Sequence, residues 1–292
     1  MAEKKKKTKL GVAFGILFGI LTLYSLLFLI MLLWGLMVSF KTRSGFFISP
    51  FGWPKPFTFE NYVRAFETFK VPVEAGSGNR DVKLAEMLLY SLLYVGGSTV
   101  IATLTPCITA YLVSKYKFRF NKIIYSTVII TMLIPIVGSM PSMLNLTTAL
   151  KIHDTFWGIW MMKGGFTGMY FLIFYASYKS LSWEYAEAAF IDGAGHTKVL
   201  ITLMIPLMSK TIFIIALMNG IGFWNDYMTS LVYLPSYPTV AYGLFLYSRS
   251  NLNTSTPSQV AGCMLLAIPT FIVFMLFKNK LMGNLTMGGL KG

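Results

Sequence analysis

The chain has 292 residues, 55% of them hydrophobic and only 12% charged, with a mean hydropathy of +0.63 and a formal net charge of +14. Such a composition excludes an ordinary soluble domain and points to an integral membrane protein. The positive charge is no sign of nucleic-acid binding, because the basic residues flank apolar stretches and would sit against anionic headgroups.

A helix needs roughly 20 apolar residues to cross the hydrocarbon core. Six stretches qualify: about Leu10–Phe40, Met87–Val113, Ile123–Met140, Phe156–Tyr178, Leu207–Leu234 and Pro257–Phe277. They predict an all-α polytopic membrane protein of six transmembrane helices, one membrane domain over residues 1–292 with no soluble domain. The first stretch is expected to be retained, since its apolar run is too long for a signal peptide and no small-x-small site ends it. The Lys4–Lys7 run before it is a cytoplasmic anchor, and six crossings then put both termini inside. Fifteen Lys and Arg fall in the expected inner segments and nine in the outer loops, seven of those in the long Lys41–Ala85 loop, so the inner basic density is higher and supports that orientation.

Along the first stretch, Gly11, Gly15 and Gly19 share a helical face and predict close helix packing. In the first outer loop, Thr58 suits an N-cap. Phe59, Tyr62, Val63 and Phe66 then fall on one face, with Glu60, Asn61, Arg64 and Glu67 on the other, which predicts a short amphipathic helix at the outer surface. Gly76-Ser77-Gly78-Asn79 reads as a loop tip. Pro106, Pro135 and Pro141 interrupt or end the second and third stretches, as either pathway-lining breaks or packing kinks. Cys107 and Cys263 read as buried small apolar residues rather than a disulfide or metal pair.

Between the fourth and fifth stretches, at about residues 180–206, the oily pattern is broken by Glu187-Ala188-Ala189-Phe190-Ile191-Asp192-Gly193-Ala194, with Pro206 twelve residues further on. Ser182 can cap a helix starting near Trp183, and Glu184 in its first turn suits the helix dipole. Ala186, Ala188 and Ala189 make one side slim enough for a cleft. Gly193 is placed to end the helix with a left-handed turn. A second helical segment runs through Lys198 to Pro206 and into the fifth stretch. The product is a short cytoplasmic helix held between two spanning helices, so a force on it would move both.

No enzyme is legible. The chain has no phosphate-binding loop, and Gly193-Ala194-Gly195-His196-Thr197-Lys198 has the wrong order for one. It has no His-Glu-x-x-His and no cysteine cluster, so no metal site is expected. His153 and His196 read as solvated side chains, and no nucleophile–base pairing stands out.

The interruption resembles the EAA loop of the membrane subunits of binding-protein-dependent ABC importers. The family pattern is Glu-Ala-Ala, three residues, Gly, nine residues, Ile-x-Leu-Pro; here it reads Glu187-Ala188-Ala189, Gly193, then Leu203-Met204-Ile205-Pro206. The Ile-Asp-Gly-Ala context, Phe223-Trp224-Asn225-Asp226, Phe57-Thr58-Phe59-Glu60-Asn61-Tyr62 and the ending Asn284-Leu285-Thr286-Met287-Gly288-Gly289-Leu290-Lys291-Gly292 resemble the carbohydrate branch, the smaller subunit of the maltose type in particular. The resemblance implies a permease of a bacterial cytoplasmic membrane with the type I importer fold. It implies pairing with a second, related permease and with two ATPase subunits that bind ATP and Mg. An extracytoplasmic sugar-binding protein would deliver an oligosaccharide. It further implies that Glu187, Ala188, Ala189, Asp192, Gly193 and Ala194, with Pro206 closing the motif, couple to the ATPase, and that Gly288, Gly289, Lys291 and Gly292 reach its interface. In the maltose type the larger permease holds most sugar contacts.

Two charges stand inside spans. Lys163 and Asp226 lie at similar depths near the outer ends of the fourth and fifth stretches, where an unpaired charge is costly. They are expected either to face the pathway, paired with each other or with sugar hydroxyls, or to snorkel separately. Trp224, Asn225 and Tyr227 beside Asp226, with the amide of Asn219, suit a sugar's apolar faces and polar edges. Interfacial anchoring accounts for Trp224 and Tyr227 as well. The rivals to a sugar importer are an ABC permease for another solute and a secondary transporter or channel needing no ATPase.

Overall fold

A computed structural model describes residues 2–75, 78–134, 138–249 and 255–285. In chain order these form α1 (Ala2–Ser39), α2 (Arg43–Ile48), α3 (Glu60–Thr68), β1 (Lys70–Ala75), β2 (Gly78–Lys83), α4 (Leu84–Lys115), α5 (Asn121–Leu133), α6 (Ser139–Ala149), α7 (Phe156–Met162), α8 (Met169–Ser180), α9 (Glu184–Ile191) and α10 (His196–Val199). A π-helical turn, Leu200–Met204, leads into α11 (Ile205–Leu207), followed by α12 (Ser209–Trp224), α13 (Tyr227–Tyr233), α14 (Val240–Arg249) and α15 (Thr256–Leu285).

Among the described residues three helices are long and apolar enough to cross a membrane, Phe14–Ser39, Leu84–Lys115 and Thr256–Phe277. The pair His196–Leu207 and Ser209–Trp224, bent by 74°, makes a fourth if taken as one broken span. The other expected stretches are each two helical pieces rather than one. The third is divided between α5 and α6, with Gly138 left-handed (φ 78°) before α6. In the fourth, Gly164, Gly165 and a Gly168 at φ 115° separate α7 from α8. The fifth breaks at Asn225, where Asp226 starts a fresh helix.

The chain divides into two compact units, residues 1–69 with 247–268 and residues 70–246 with 269–292. In the first unit, the face of α1 from Phe14 to Leu33 is exposed throughout, and a Cβ on Gly15 or Gly19 would meet nothing within 4 Å. The close approach expected of those glycines is found instead at Gly35, where a Cβ would lie 2.7 Å from the Met264 side chain. Helix α3 begins one residue later than a Thr58 cap requires. The Thr58 hydroxyl accepts from the Glu60 N–H at 3.1 Å, and Phe59 takes the cap position. Phe59, Val63 and Phe66 do face outward. Asn61, expected on the polar face, is instead buried: its Nδ2 donates to the carbonyls of Ser39 (2.8 Å) and Lys41 (2.7 Å), and its Oδ1 accepts from Ser258 (3.0 Å).

The second unit corrects the all-α expectation. β1 and β2 form an antiparallel hairpin with Val71 opposite Val82 and Val73 opposite Arg80. Val71, Val73 and Val82 are buried while Glu74, Asp81 and Lys83 face out, the period-two pattern of a half-buried strand. The core of this unit gathers Cys107, Tyr111, Phe171, Phe174, Tyr178, Ala186, Val199, Met204 and Ile215 between α4, α8, α9 and α12. Cys107 is buried as expected, its thiol 3.3 Å from the Tyr178 hydroxyl, whereas Cys263 is exposed on α15; both are free thiols. His153 is partly buried rather than solvated, with Nε2 3.1 Å from the Val232 carbonyl.

Candidate functional site

Two sites carry the polar chemistry of the second unit. The first is α9 and the turn after it. Trp183 occupies the N-cap position, and the Ser182 hydroxyl accepts from the Glu184 N–H at 3.2 Å, so the expected serine helps to start the helix from one residue further out. Glu184 and Glu187 occupy the first turn, where the exposed N–H groups favour negative charge. The helix stops in a Schellman motif. Gly193, at φ 80°, donates its N–H to Phe190 (3.0 Å), and Ala194 donates to Ala189 (2.9 Å). Only a residue at ease with positive φ closes this turn without strain.

The slim side of α9 faces inward. Ala186 is fully buried in the core that also holds Tyr111 and Tyr178, and Ala189 and Ala194 are partly buried against the same core. This lets α9 lie close on its own unit. The outward side carries Glu184, Tyr185, Glu187, Ala188, Ile191 and Asp192. Ile191 is 86% exposed and Tyr185 55%, so the free face of α9 is an apolar patch with an acidic rim. Pro206 lies just beyond the π-helical turn, where the Ile205 N–H reaches back to Leu200. Its ring removes one backbone donor from the run toward the bend at α12. Gly288, Gly289, Lys291 and Gly292 lie outside the described residues.

The second site joins α4, α7 and α13. Lys163 caps the C-terminus of α7, and Asp226 caps the N-terminus of α13. Their side chains meet, Nζ to Oδ2, at 3.4 Å. Asp226 Oδ1 accepts from the Thr229 N–H (3.0 Å), and Oδ2 accepts from the hydroxyls of Thr229 (2.6 Å) and Tyr94 (2.8 Å). Lys163 also donates to Thr229 Oγ1 at 3.1 Å, and its ammonium lies 5.1 Å from the Phe223 ring centroid. The carboxylate therefore accepts from four protein donors, and the two charges are paired with each other rather than apart.

The other expected pathway residues disperse. Asn225 donates to the Ile221 carbonyl (2.8 Å), and Tyr227 stacks on Phe245 with centroids 4.3 Å apart. Asn219 is buried and donates to Thr103 (3.1 Å). Trp224 lines an apolar cleft of about 510 Å³ with Gly96, Thr99, Gly220 and Pro269. Tyr94 and Thr229 escaped the sequence reading. Thr229 was findable as the third residue after a helix-capping Asp; Tyr94, more than a hundred positions away, gave no local sign.

No group of three or more His, Cys, Asp or Glu that could hold a metal exists among the described residues. Among the described residues the helices of spanning length and the broken helices beside them have the length and composition of membrane-crossing elements. Residues 102–285 match the family described as binding-protein-dependent transport system inner membrane component, and the chain belongs to that family. It is thus an integral inner-membrane transporter subunit rather than an enzyme. The chain is similar to the trehalose/maltose transport system permease protein of Thermococcus litoralis, 27% identical over 304 residues covering 100% of both chains. It is also similar to the diacetylchitobiose uptake system permease protein of Streptomyces coelicolor, 22% identical over 92% of this chain and 86% of that one. Its fold matches a chain in the crystal structure of a bacterial ABC transporter involved in the import of the acidic polysaccharide alginate, with a TM-score of 0.72, 22% identity, and 91% and 95% of the two chains covered.

Proposed function

We propose that the chain is one of two related permeases in an ATP-driven importer for an oligosaccharide, and that α9 is its docking helix for the ATPase. In this reading α1, α4, α5, α7–α8, α12–α13 and α15 carry six crossings, with both termini and α9 on the cytoplasmic side. An extracytoplasmic binding protein delivers the sugar. ATP and Mg belong to the ATPase subunits.

The observation that carries the docking assignment is the free face of α9. An isoleucine 86% exposed, at the tip of a short polar-rimmed helix with a glycine stop, supports a partner surface there. Glu184, Glu187 and Asp192 around it suit a cleft with basic or amide donors. A moving ATPase would displace the helix as a body, because the Schellman closure fixes its end. The carbohydrate cargo rests on the relatives, whose names specify trehalose, maltose and diacetylchitobiose. A neutral sugar also suits the second site, because Lys163 is already paired with Asp226.

Affinity capture of the tagged chain from mild-detergent membranes, with mass spectrometry of its companions, tests this reading. A nucleotide-binding subunit and a second permease should come down with the wild type, and the ATPase should be lost with Gly193→Pro or Glu187→Lys. Intact, folded chain recovered alone in several detergents would overturn the assignment and make an ATP-independent carrier the leading reading.

A further inference from the structure

We infer that Tyr116, at the inner end of α4, is the positioning residue that ties both sides of the α9 turn to the long spanning helix, so that α9 and α4 move together. The inference rests on the docking role proposed for α9 and names the joint through which that role reaches the membrane.

The backbones of α9 and α4 scarcely approach one another, so side chains must make the connection. They do so through a closed circuit of four rings. Tyr116 packs edge-on against Trp183, centroids 5.6 Å apart; Trp183 packs on Phe190 at 5.9 Å; Phe190 on His196 at 4.8 Å; and His196 returns to Tyr116 at 5.4 Å. Each ring touches two others in the circuit, and aromatic pairs of this kind attract one another beyond the area they bury. Trp183 precedes α9, Phe190 lies in its last turn and His196 opens α10 beyond Gly193. A single side chain from α4 therefore grips the segment on both sides of its turn.

Polar contacts fix the register of the circuit. The Tyr116 hydroxyl lies 2.9 Å from His196 Nδ1 and 3.2 Å from the Tyr111 hydroxyl. Tyr111 is buried in α4 and packs on Tyr178 of α8 at 5.4 Å. The neighbouring Lys115 donates to the Leu181 carbonyl at 2.6 Å, holding the linker that enters α9. Packed side chains with two discrete arrangements are the usual carriers of displacement between elements. Here the chain of contacts runs from the exposed face of α9, through Tyr116, to the buried tyrosines of α4 and α8.

Hydrogen–deuterium exchange on the assembled complex in lipid nanodiscs, with and without ATP·Mg and vanadate, tests the inference without knowledge of the sugar. The readouts are two peptides, one over α9 and one over residues 110–124. In the wild type and in Tyr116→Phe, which keeps the ring, nucleotide should change exchange in both. In Tyr116→Ala, and in His196→Ala should the first fail to assemble, α9 should stay shielded by the ATPase while the response at 110–124 falls by about threefold or more. A full response at 110–124 in these variants, with α9 shielded as in the wild type, would overturn the joint and leave the docking reading standing. An α9 that the ATPase does not shield in the wild type would overturn the docking reading itself, and this inference with it.

Discussion

Lys163 and Asp226, 63 positions apart in sequence, each sit on a helix cap and meet at 3.4 Å. The carboxylate does two jobs at once: it satisfies the first turn of α13 and neutralises a partly buried ammonium. Removing it should be costlier than losing a cap alone, about 2–3 kcal/mol for Asp226→Ala, since the Lys163 charge is left unpaired. Asp226→Asn keeps a good cap and should cost less. Thermal unfolding of the purified chain in detergent checks the order, and equal losses would show that the cap contributes little beside the ion pair.

Gly193 has open space where a Cβ would go, so only its backbone angle resists substitution. Gly193→Ala should therefore cost about 1 kcal/mol, the penalty for a side chain in the left-handed region. Gly193→Asn should cost less. A loss of several kcal/mol on calorimetric or fluorescence unfolding would mean that packing and not φ decides the position.

Ile191 and Ala186 lie on opposite sides of one short helix and should respond oppositely. Ile191→Glu changes an exposed side chain and should leave stability within about 0.5 kcal/mol, yet abolish co-purification of the ATPase. Ala186→Leu forces volume into a packed core and should destabilise the chain by about 1–3 kcal/mol. Melting curves and pull-downs on the same preparations separate the two effects.

Gly96 and Gly97 are neighbours on α4 with contrasting surroundings. A Cβ at Gly97 would lie 2.1 Å from the Trp160 ring, whereas one at Gly96 would meet nothing within 4 Å. Gly97→Ala should destabilise by about 1–3 kcal/mol through overpacking. Gly96→Ala should be neutral or stabilising by up to about 1 kcal/mol, as expected inside a helix. Unfolding of the two variants side by side reads the difference.

Asn61 makes three hydrogen bonds from a buried position in the first unit. Asn61→Leu strands the carbonyls of Ser39 and Lys41 and should cost about 1–3 kcal/mol. Asn61→Asp should be worse, because a carboxylate cannot donate to either carbonyl. Limited proteolysis of the segment between α1 and α4, followed over time, should rank the variants in that order.

Local chemistry made much of this chain legible. The apolar runs predicted the long helices, and Gly193 predicted a left-handed stop because few residues accept that conformation. What escaped was decided by tertiary contact. The β1–β2 hairpin is short, and its only sign is the alternation of Val71 and Val73 before a glycine-rich tip. The sidedness of α9 could not be read from its alanines, since a slim face serves a tight fit to the chain's own core as well as to a partner. Asn61 and Tyr94 look like ordinary surface and span residues until distant segments supply their partners. The breaks near Gly138, Gly168 and Asp226 carried glycine and acid signals, but hydropathy averaged over a window passes across them.

The 74° bend between the α10–α11 segment and α12 makes that pair of segments a bell crank. Under the proposed docking, a push along the shorter arm would arrive at α12 largely as a sideways swing, with little thrust along its axis. Helices that slide lengthwise must drag polar ends into lipid, whereas helices that tilt keep their ends in water. A cranked connection would thus steer such a motion toward the direction in which a bilayer offers least resistance.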